Sequence, residues 1–258
     1  MSLADIQKGS QIKPVKFILY GPSGIGKTSL AAQMENPVLI QTEDGMAGID
    51  NDDNIWSFPV CKTYDEFMSR LTAIRDEEHD RKSLIIDSLD WLETLVFQKV
   101  CDIGGKGHVE DFGYGKGYAL AGDQMTEILE VLNDIRDKRK MRVCMICHVE
   151  LKRIEIPDMN PHDKYQLKLH KRVAAKVSEF ADAIFFYNYK YGQVKKQADK
   201  GQMVTKTTMS QDRYIFTRET SAHVGKNRYN LPDEIKLERE TGWKILSTAM
   251  KEGLGIGK

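Results

Sequence analysis

The sequence lacks three features: a long apolar run, an excess of charge of one sign and a cysteine-rich pattern. No run approaches the roughly 20 apolar residues that span a bilayer, and the N-terminal MSLADIQKGSQ has no apolar core typical of a secretory signal. We therefore expect no membrane contact. The 38 basic and 38 acidic side chains give a formal net charge of zero. Any contact with nucleic acid must therefore come from local basic patches.

Cysteine is sparse, with four residues, as is typical of a reducing compartment without structural disulfides. Cys144 and Cys147 form a CxxC pair, but they lie in the β-rich run RVCMICHV. Residues three apart on a strand point to opposite faces of the sheet, and no second Cys or His pair has zinc spacing. We therefore expect buried thiols and no metal site here.

Apolar runs alternate with amphipathic segments along most of the chain. The predicted helices cover about 28–35, 64–78, 90–101, 123–140 and 167–181. The predicted strands cover 15–20, 37–43, 83–88, 142–149, 183–191 and 213–218, and a turn-and-helix segment begins at Leu231. This alternation predicts an α/β fold: a mostly parallel sheet flanked by helices, with antiparallel strands toward the C-terminus.

No linker divides the chain, so we expect a single domain. Its core covers about 12–235, and a helical tail covers about 236–258. Two segments interrupt the alternation and are predicted to be long loops. The first, Gly104 to Gly122, is predicted to be mobile because its many glycines resist regular structure. The second covers Glu150 to Tyr165.

A glycine-rich phosphate loop follows the first strand. The segment GPSGIGKT matches GxxxxGK[ST], with a strand before it and a helix after it. Its glycines let backbone N–H groups surround phosphate oxygens, Lys27 neutralises the β- and γ-phosphates, and Thr28 offers a hydroxyl to Mg²⁺. The motif thus predicts that the chain binds a nucleoside triphosphate. The expected nucleotide-binding residues are Gly21, Pro22, Ser23, Gly24, Ile25, Gly26, Lys27, Thr28 and Ser29.

Two acidic residues complete the predicted site. Asp87 ends the buried strand LIID one strand-helix-strand step after the loop, where it can hold Mg²⁺. The next residue is Ser88, so no glutamate directly follows this aspartate to act on the attacking water. Glu43 ends the second strand, at the edge where ligands gather in open parallel sheets, and is the candidate base. The alternative is a solvated glutamate in an Asp-Gly turn.

The order GPSGIGKT, LIQTE, LIIDS and a strand ending in His148 resembles the cores of RecA-like recombinases. The resemblance implies a RecA-like P-loop NTPase core in which Glu43 is the hydrolytic base and His148 senses the γ-phosphate. RecA-like proteins usually have glutamine or asparagine at the sensor position, so histidine departs from the pattern. A histidine that only satisfies its own hydrogen bonds at a strand end is the alternative.

A second match lies near the C-terminus. Lys226-Asn227-Arg228 resembles the lysine-x-arginine element of RadA and of replicative DnaB-type helicases. The resemblance implies that Lys226 and Arg228 reach the ATP of a neighbouring subunit and stabilise charge on the transferred group. A solvated basic turn is the alternative.

Over residues 12–235 the chain is similar to phage-encoded RecA-like ATPases that act as single-strand annealing proteins or recombination mediators. The resemblance implies ATP and Mg²⁺ as cofactors, single-stranded DNA and a single-strand-binding protein as partners, and self-assembly into a ring or filament. It also implies action in the cytoplasm of the bacterial host. The two predicted loops correspond to the DNA-binding loops of that fold. Their candidate DNA-binding residues are Lys106, Tyr114, Lys116, Lys152, Arg153, Lys168, Lys171 and Arg172.

Three other functions agree with a phosphate loop. The chain could be a helicase loader or replication accessory ATPase whose main partner is protein, or a nucleotide-binding switch with little turnover. A small-molecule kinase would need an arginine-rich lid, and the sequence has none. The candidate loops also have a simpler interpretation, as solvated charged faces or as segments that close over nucleotide or pack on a neighbour.

Overall fold

The protein is described by a computed structural model, which covers residues 13–45, 55–157, 159–197 and 203–256. The apolar runs form the centre of a sheet of ten strands within these residues. Six strands run parallel, in the order β3-β2-β4-β5-β1-β7. These strands are β1 (Lys16–Gly21), β2 (Pro37–Gln41), β3 (Trp56–Ser57), β4 (Ser83–Asp87), β5 (Arg142–Ile156) and β7 (Ala183–Gln197).

Antiparallel strands extend the sheet beyond β7 and beyond the end of β5. On one side β8 pairs with β7 and β10 pairs with β8, while β9 pairs with the start of β7. On the other, β6 pairs with the second half of β5. Their bounds are β6 (Met159–Leu167), β8 (Met203–Phe216), β9 (Lys226–Asn227) and β10 (Glu234–Leu237). The predicted fold class is confirmed: a mostly parallel sheet flanked by helices.

Six α-helices cover the two faces of this sheet within the described residues. One face carries α2 (Tyr64–Asp76), α3 (Leu89–Gly104), α4 (Lys116–Lys138) and α5 (Lys171–Phe180). The other carries α1 (Lys27–Ala32) and α6 (Gly242–Gly253). Both faces of the parallel strands are thus buried, which explains why their sequences are continuous apolar runs and do not alternate with polar residues.

Side chains of one strand alternate between these two faces. Cys144 packs in the α1/α6 layer and Cys147 in the layer of α2 to α5. All four cysteines are buried and free. The prediction that the CxxC pair is split across the sheet is therefore confirmed.

The first predicted loop is wrong, because Gly104 to Gly122 is largely helical. Helix α3 runs to Gly104, residues Val109–Phe112 form a 3₁₀ helix, and α4 begins at Lys116. A Cβ on Gly104 would lie 2.3 Å from the Phe112 ring, and a Cβ on Gly117 would lie 2.1 Å from the Val109 carbonyl oxygen. These glycines therefore allow helical segments to pack closely, which glycine content alone cannot distinguish from a loop.

The second predicted loop is also wrong, because Glu150 to Tyr165 lies in a β-hairpin. Strand β5 continues past the sheet to Ile156 and returns as β6, with Leu151 opposite Tyr165. The Tyr165 backbone anchors the base of the hairpin, since its N–H donates to the Ala222 carbonyl at 2.8 Å and its carbonyl accepts from Val224 at 3.0 Å. A two-stranded ribbon exposes charged residues on both strands, so its composition resembles that of a loop.

Two element boundaries beside candidate site residues also differ from the prediction. Strand β2 ends at Gln41, two residues before Glu43, and α5 begins at Lys171 because residues to Leu167 belong to β6. A side-chain cap opens α2, since the Thr63 hydroxyl accepts from the Glu66 N–H at 3.1 Å. The Glu66 carboxylate in turn accepts from the Lys62 N–H at 2.8 Å, so two side-chain hydrogen bonds stabilise the start of the helix.

We expect Gly117→Ala to destabilise the fold. Alanine favours a helix by itself, but here its Cβ would overlap a backbone carbonyl, and overpacking of this kind costs about 1–3 kcal/mol. Gly107→Ala is the matched control, because its Cβ would lie 3.4 Å from the nearest atom, a side-chain oxygen. Urea unfolding of both variants measures the difference. A Gly117→Ala protein as stable as the control would contradict the close approach of the two helices.

Candidate functional site

The parallel strands end along one edge of the sheet, and the site lies there. Gly21 is in register with His148, and Asp87 is in register with Ile146 of the same central strand, β5. Because β5 lies between β1 and β4, His148 lies between the phosphate loop and Asp87. The cleft along this edge has a volume of about 530 Å³ and is lined by Lys27, Thr28, Glu43, Asp87 and His148, among others.

The phosphate loop joins β1 to α1. Gly24 and Gly26 have φ of 74° and 99°, in the left-handed region that glycine adopts without strain. The buried Lys27 folds back on the loop, where its Nζ donates to the carbonyls of Gly21 and Pro22 at 3.0 Å each. Burial lowers the pKa of Lys27, and Asp87 opposes this shift. A phosphate anion would supply the countercharge that this ammonium lacks.

Thr28 and Asp87 form the predicted cation site. The Thr28 hydroxyl donates to Oδ2 of Asp87 at 2.6 Å. Burial raises the pKa of Asp87, while the bond from Thr28 lowers it. Within the described part of the chain, no group of three His, Cys, Asp or Glu side chains could hold a metal alone. One hydroxyl and one carboxylate fit Mg²⁺, which is typically held by one or two carboxylates together with substrate phosphates.

Thr42 fastens the ends of β2 and β4 together. Its backbone N–H donates to the Asp87 carbonyl at 2.8 Å. Its hydroxyl donates to the Ser88 carbonyl at 2.7 Å and accepts from the Ser88 N–H at 2.8 Å. Ser88 directly follows Asp87, the expected magnesium ligand, and Glu43 directly follows Thr42. This clamp therefore holds the two acids in a constant relation to each other.

Glu43 lies in the same cleft, as the strand-end argument predicts. Its side chain is 23% exposed, and its Oε1 lies 3.9 Å from Nδ1 of His148. The structure thus brings Glu43, His148 and Asp87 to one edge of the phosphate loop. The roles of Glu43 as base and of His148 as sensor remain predictions.

Asp90, which no sequence motif identifies, holds His148 in place. Its carboxylate accepts from the His148 backbone N–H at 3.1 Å and lies 3.0 Å and 3.1 Å from Nδ1 of the imidazole. Burial alone would raise the pKa of Asp90, but the hydrogen bonds from His148 lower it to about 2. With its Nδ1–H on a charged carboxylate, His148 has a defined ring orientation and tautomer.

Lys226 and Arg228 lie near the end of the sheet where the parallel strands begin, away from the end that carries the phosphate loop. Lys226 is paired with Ile184 at the start of β7, and its Nζ donates to the Ser178 carbonyl at 2.7 Å. The Arg228 guanidinium lies 3.5 Å from Asp182 and is 62% exposed. Within one chain these cations therefore lie toward the start of the parallel strands, whereas the phosphate loop follows the end of β1. Their action on a neighbouring subunit remains a prediction.

The candidate DNA-binding residues lie on neighbouring elements. Tyr118 of α4 stacks on His170 at the start of α5, with ring centroids 3.9 Å apart. This contact brings the segment between α3 and α4 close to the hairpin and to α5. Lys106, Tyr114 and Lys116 lie in or beside that segment, Lys152 and Arg153 lie on β5, Lys168 follows β6, and Lys171 and Arg172 open α5.

Three further residues line the cleft on the side away from Glu43. These are Tyr187 on β7, Arg213 on β8 and Arg239 after β10. Strand β8 runs antiparallel to β7, so its residues enter the sheet at the edge where the parallel strands end. The predicted strand 213–218 begins at Arg213, but only the strand order shows that this residue faces the phosphate loop.

Comparison with known proteins agrees with this geometry. No curated protein matches the sequence closely enough to count as a relative. In the described residues no helix is long and apolar enough to cross a membrane. A family model described as AAA domain matches residues 13–229, a range that includes the phosphate loop, Glu43, Asp87 and His148. The chain belongs to this AAA domain family, and its fold is that of a P-loop NTPase.

Proposed function

We propose that the protein binds ATP with Mg²⁺, hydrolyses it, and uses the cycle to act on single-stranded DNA in recombination, annealing or replication. The observation that supports hydrolysis is the convergence of Lys27, Thr28, Asp87 and Glu43 in one cleft. This combination supplies charge neutralisation, a cation site and a carboxylate that can orient water. A phage protein acting in the bacterial cytoplasm is the setting that agrees with the resemblance to RecA-like ATPases.

In the proposed reaction each residue has a separate task. Lys27 leaves the loop carbonyls to neutralise the phosphates, and Thr28 and Asp87 hold Mg²⁺, which neutralises developing charge when bound. Glu43 accepts a hydrogen bond from the attacking water and orients it toward the γ-phosphate. His148 can donate from Nε2 to that phosphate only as the imidazolium, because Asp90 already engages Nδ1.

Glu43→Gln should bind ATP with nearly unchanged affinity but hydrolyse it about 10²–10⁴-fold more slowly, since an amide is a poor base. Asp44→Asn is the matched control, because Asp44 is the neighbouring acid in the same cleft. Phosphate release at saturating ATP measures the rate, and titration calorimetry measures the binding. Equal rates for Glu43→Gln and the wild type would remove Glu43 as the base.

We further propose that the site is completed across a subunit interface. Lys226 and Arg228 lie where the parallel strands begin, and their own phosphate loop lies where β1 ends. In the proposed arrangement they therefore contact ATP that is bound to another copy of the chain. Arg228 is the better residue for a test. Its side chain is 62% exposed, whereas Lys226 also caps the last turn of α5.

Mixing Arg228→Ala subunits with Glu43→Gln subunits should restore part of the ATPase activity that each variant lacks alone. Some interfaces in the mixture pair an intact arginine with an intact glutamate. The measurement is ATP turnover across mixing ratios, with mixed assembly verified by a tag on one variant. A turnover equal to the weighted sum of the two variants, in assemblies shown to be mixed, would exclude action in trans.

The support for a DNA substrate is a surface that carries cations beside aromatic rings. Trp91 is 47% exposed and Tyr114 is fully exposed, and such rings provide stacking platforms for bases. Trp91 lines a recess of about 430 Å³ together with Lys152 and Lys168. Lys171 and Arg172 are exposed beside it and suit contact with phosphates.

Acidic side chains also line this recess, but each has a partner. Asp90 is held by His148, and Glu150 lies 2.6 Å from Lys152. Glu93 accepts from the His170 N–H at 2.9 Å, and burial raises its pKa to about 7. The recess therefore repels a phosphate chain less than its composition suggests. Lys168 lies 3.7 Å from Asp90, which places the recess next to the residue that holds His148.

We expect single-strand binding that weakens steeply with salt and differs between the ATP-bound and nucleotide-free states. The variant Lys171→Gln/Arg172→Gln should bind less tightly and lower the log–log salt slope by about 0.7 for each phosphate that it no longer neutralises. The matched control is Lys244→Gln/Lys251→Gln, which removes two exposed lysines of α6 on the other side of the sheet. Fluorescence anisotropy with a labelled oligonucleotide gives both slopes.

Two alternative functions predict different results. No binding to single strands at low salt, with or without ATP, would sink the DNA proposal. A stoichiometric complex with a replicative helicase would then favour a loader or accessory ATPase whose partner is protein. If the wild type binds ATP but does not turn it over, even with DNA, the protein is a nucleotide-binding switch.

A further inference from the structure

Arg213 is a cation beside the phosphate loop whose role is unassigned. It lies on β8, opposite Tyr189 on one side and Leu237 of β10 on the other. Its Nη1 lies 3.7 Å from the position that a Cβ on Gly26 would occupy. Gly26 is the last residue before Lys27, so the guanidinium lies against the lip of the loop and faces the same cleft.

A buried neighbour holds Arg213 in this position. The Arg213 guanidinium lies near the Tyr187 hydroxyl, where its charge opposes the rise in the pKa of Tyr187 that burial causes, and Tyr187 is 3% exposed. Tyr187 in turn packs against the loop, because a Cβ on Gly21 would lie 2.1 Å from its carbonyl oxygen. The close approach of β7 to Gly21 therefore places the tyrosine, and the arginine beside it, against the loop before any ligand binds.

The charge of Arg213 lacks a carboxylate partner among the described residues. The nearby acidic residues pair with other cations. Asp212 lies 2.7 Å from Lys236, and Asp233 lies 3.3 Å from Arg218. Arg213 takes part in none of the ion pairs that the described residues form. A guanidinium held at a phosphate-binding loop without a countercharge suits an anionic ligand.

The strand order indicates which part of a bound nucleotide Arg213 would contact. Along the edge, Arg239 follows β10, Arg213 lies on β8, Tyr187 on β7 and the phosphate loop follows β1. His148, Asp87 and Glu43 follow on the other side of the loop, at β5, β4 and β2. The groups for magnesium and water thus lie on one side of the loop and the arginines on the other.

We propose that Arg213 binds the α- and β-phosphates of the nucleotide from within the same subunit. The γ-phosphate would lie toward Asp87 and Glu43, so Arg213 contacts the part of the nucleotide that remains after hydrolysis as ADP. Arg213 is then a binding residue that contributes to the affinity for ADP and for ATP alike. Arg239, on an exposed turn of the same cleft, adds a second positive charge on that side. This inference rests on the proposed binding of ATP.

The experiment measures the affinity of Arg213→Gln for ADP and for a non-hydrolysable ATP analogue by titration calorimetry. Without this charge-assisted hydrogen bond, both ligands should bind about 10- to 100-fold more weakly and to a similar extent. Arg213→Lys should recover part of the affinity, because it keeps the charge but not the planar fork.

Arg218→Gln is the matched control, since Arg218 follows the same strand but is 71% exposed and paired with Asp233. Unchanged ADP affinity in a folded Arg213→Gln protein would overturn the inference. A weakening confined to the ATP analogue would also overturn it, because the contact would then be to the γ-phosphate. A wild type that binds neither ligand would overturn nucleotide binding itself, whereas normal wild-type binding with an unaffected Arg213→Gln would overturn this inference alone.

Discussion

The hydrogen-bonded ladders on both sides of β1 determine which side chains lie directly beside the phosphate loop. Strand β1 pairs in parallel with β5 and with β7, so the ends of both neighbours meet the phosphate loop. The pairing with β5 places His148 beside Gly21, and the pairing with β7 places Tyr187 against the same glycine. A slip of one residue in either ladder would turn these side chains to the other face of the sheet. The chemistry of the cleft is therefore a property of strand register as much as of residue type.

The phosphate loop, Asp87 and Glu43 could be predicted from sequence because each depends on local information. The loop is a contiguous motif, and both acids follow from one rule about the ends of parallel strands. Asp90 and Arg213 could not be predicted in this way. Asp90 lies in the first turn of α3, where an acid is ordinary at a helix start, and its contact with His148 depends on how β5 lies beside that turn. Arg213 reaches the loop only because β8 returns along β7.

The two wrong loop predictions have a common physical cause. Glycine and charge both indicate irregular structure, yet each has a second use. Glycine at Gly104 and Gly117 lets backbone and ring atoms approach more closely than any side chain would permit. Charge on the hairpin reflects a ribbon with little core to cover, whose strands still pair through their backbones. Composition records what a segment can tolerate, and only its neighbours determine whether it becomes ordered.

Strand β5 is continuous from the middle of the sheet, through His148, to Ile156 at the end of the hairpin. The nucleotide cleft and the tip of the hairpin therefore belong to one strand. At about 3.3 Å per residue, its outer arm from His148 to Ile156 is about 26 Å long, so a tilt of about 5° at the cleft displaces the tip by about 2 Å. Asp90 holds this strand at the cleft through contacts with both the backbone and the ring of His148. A change of strand direction at His148 would therefore reach the tip of the hairpin through continuous backbone.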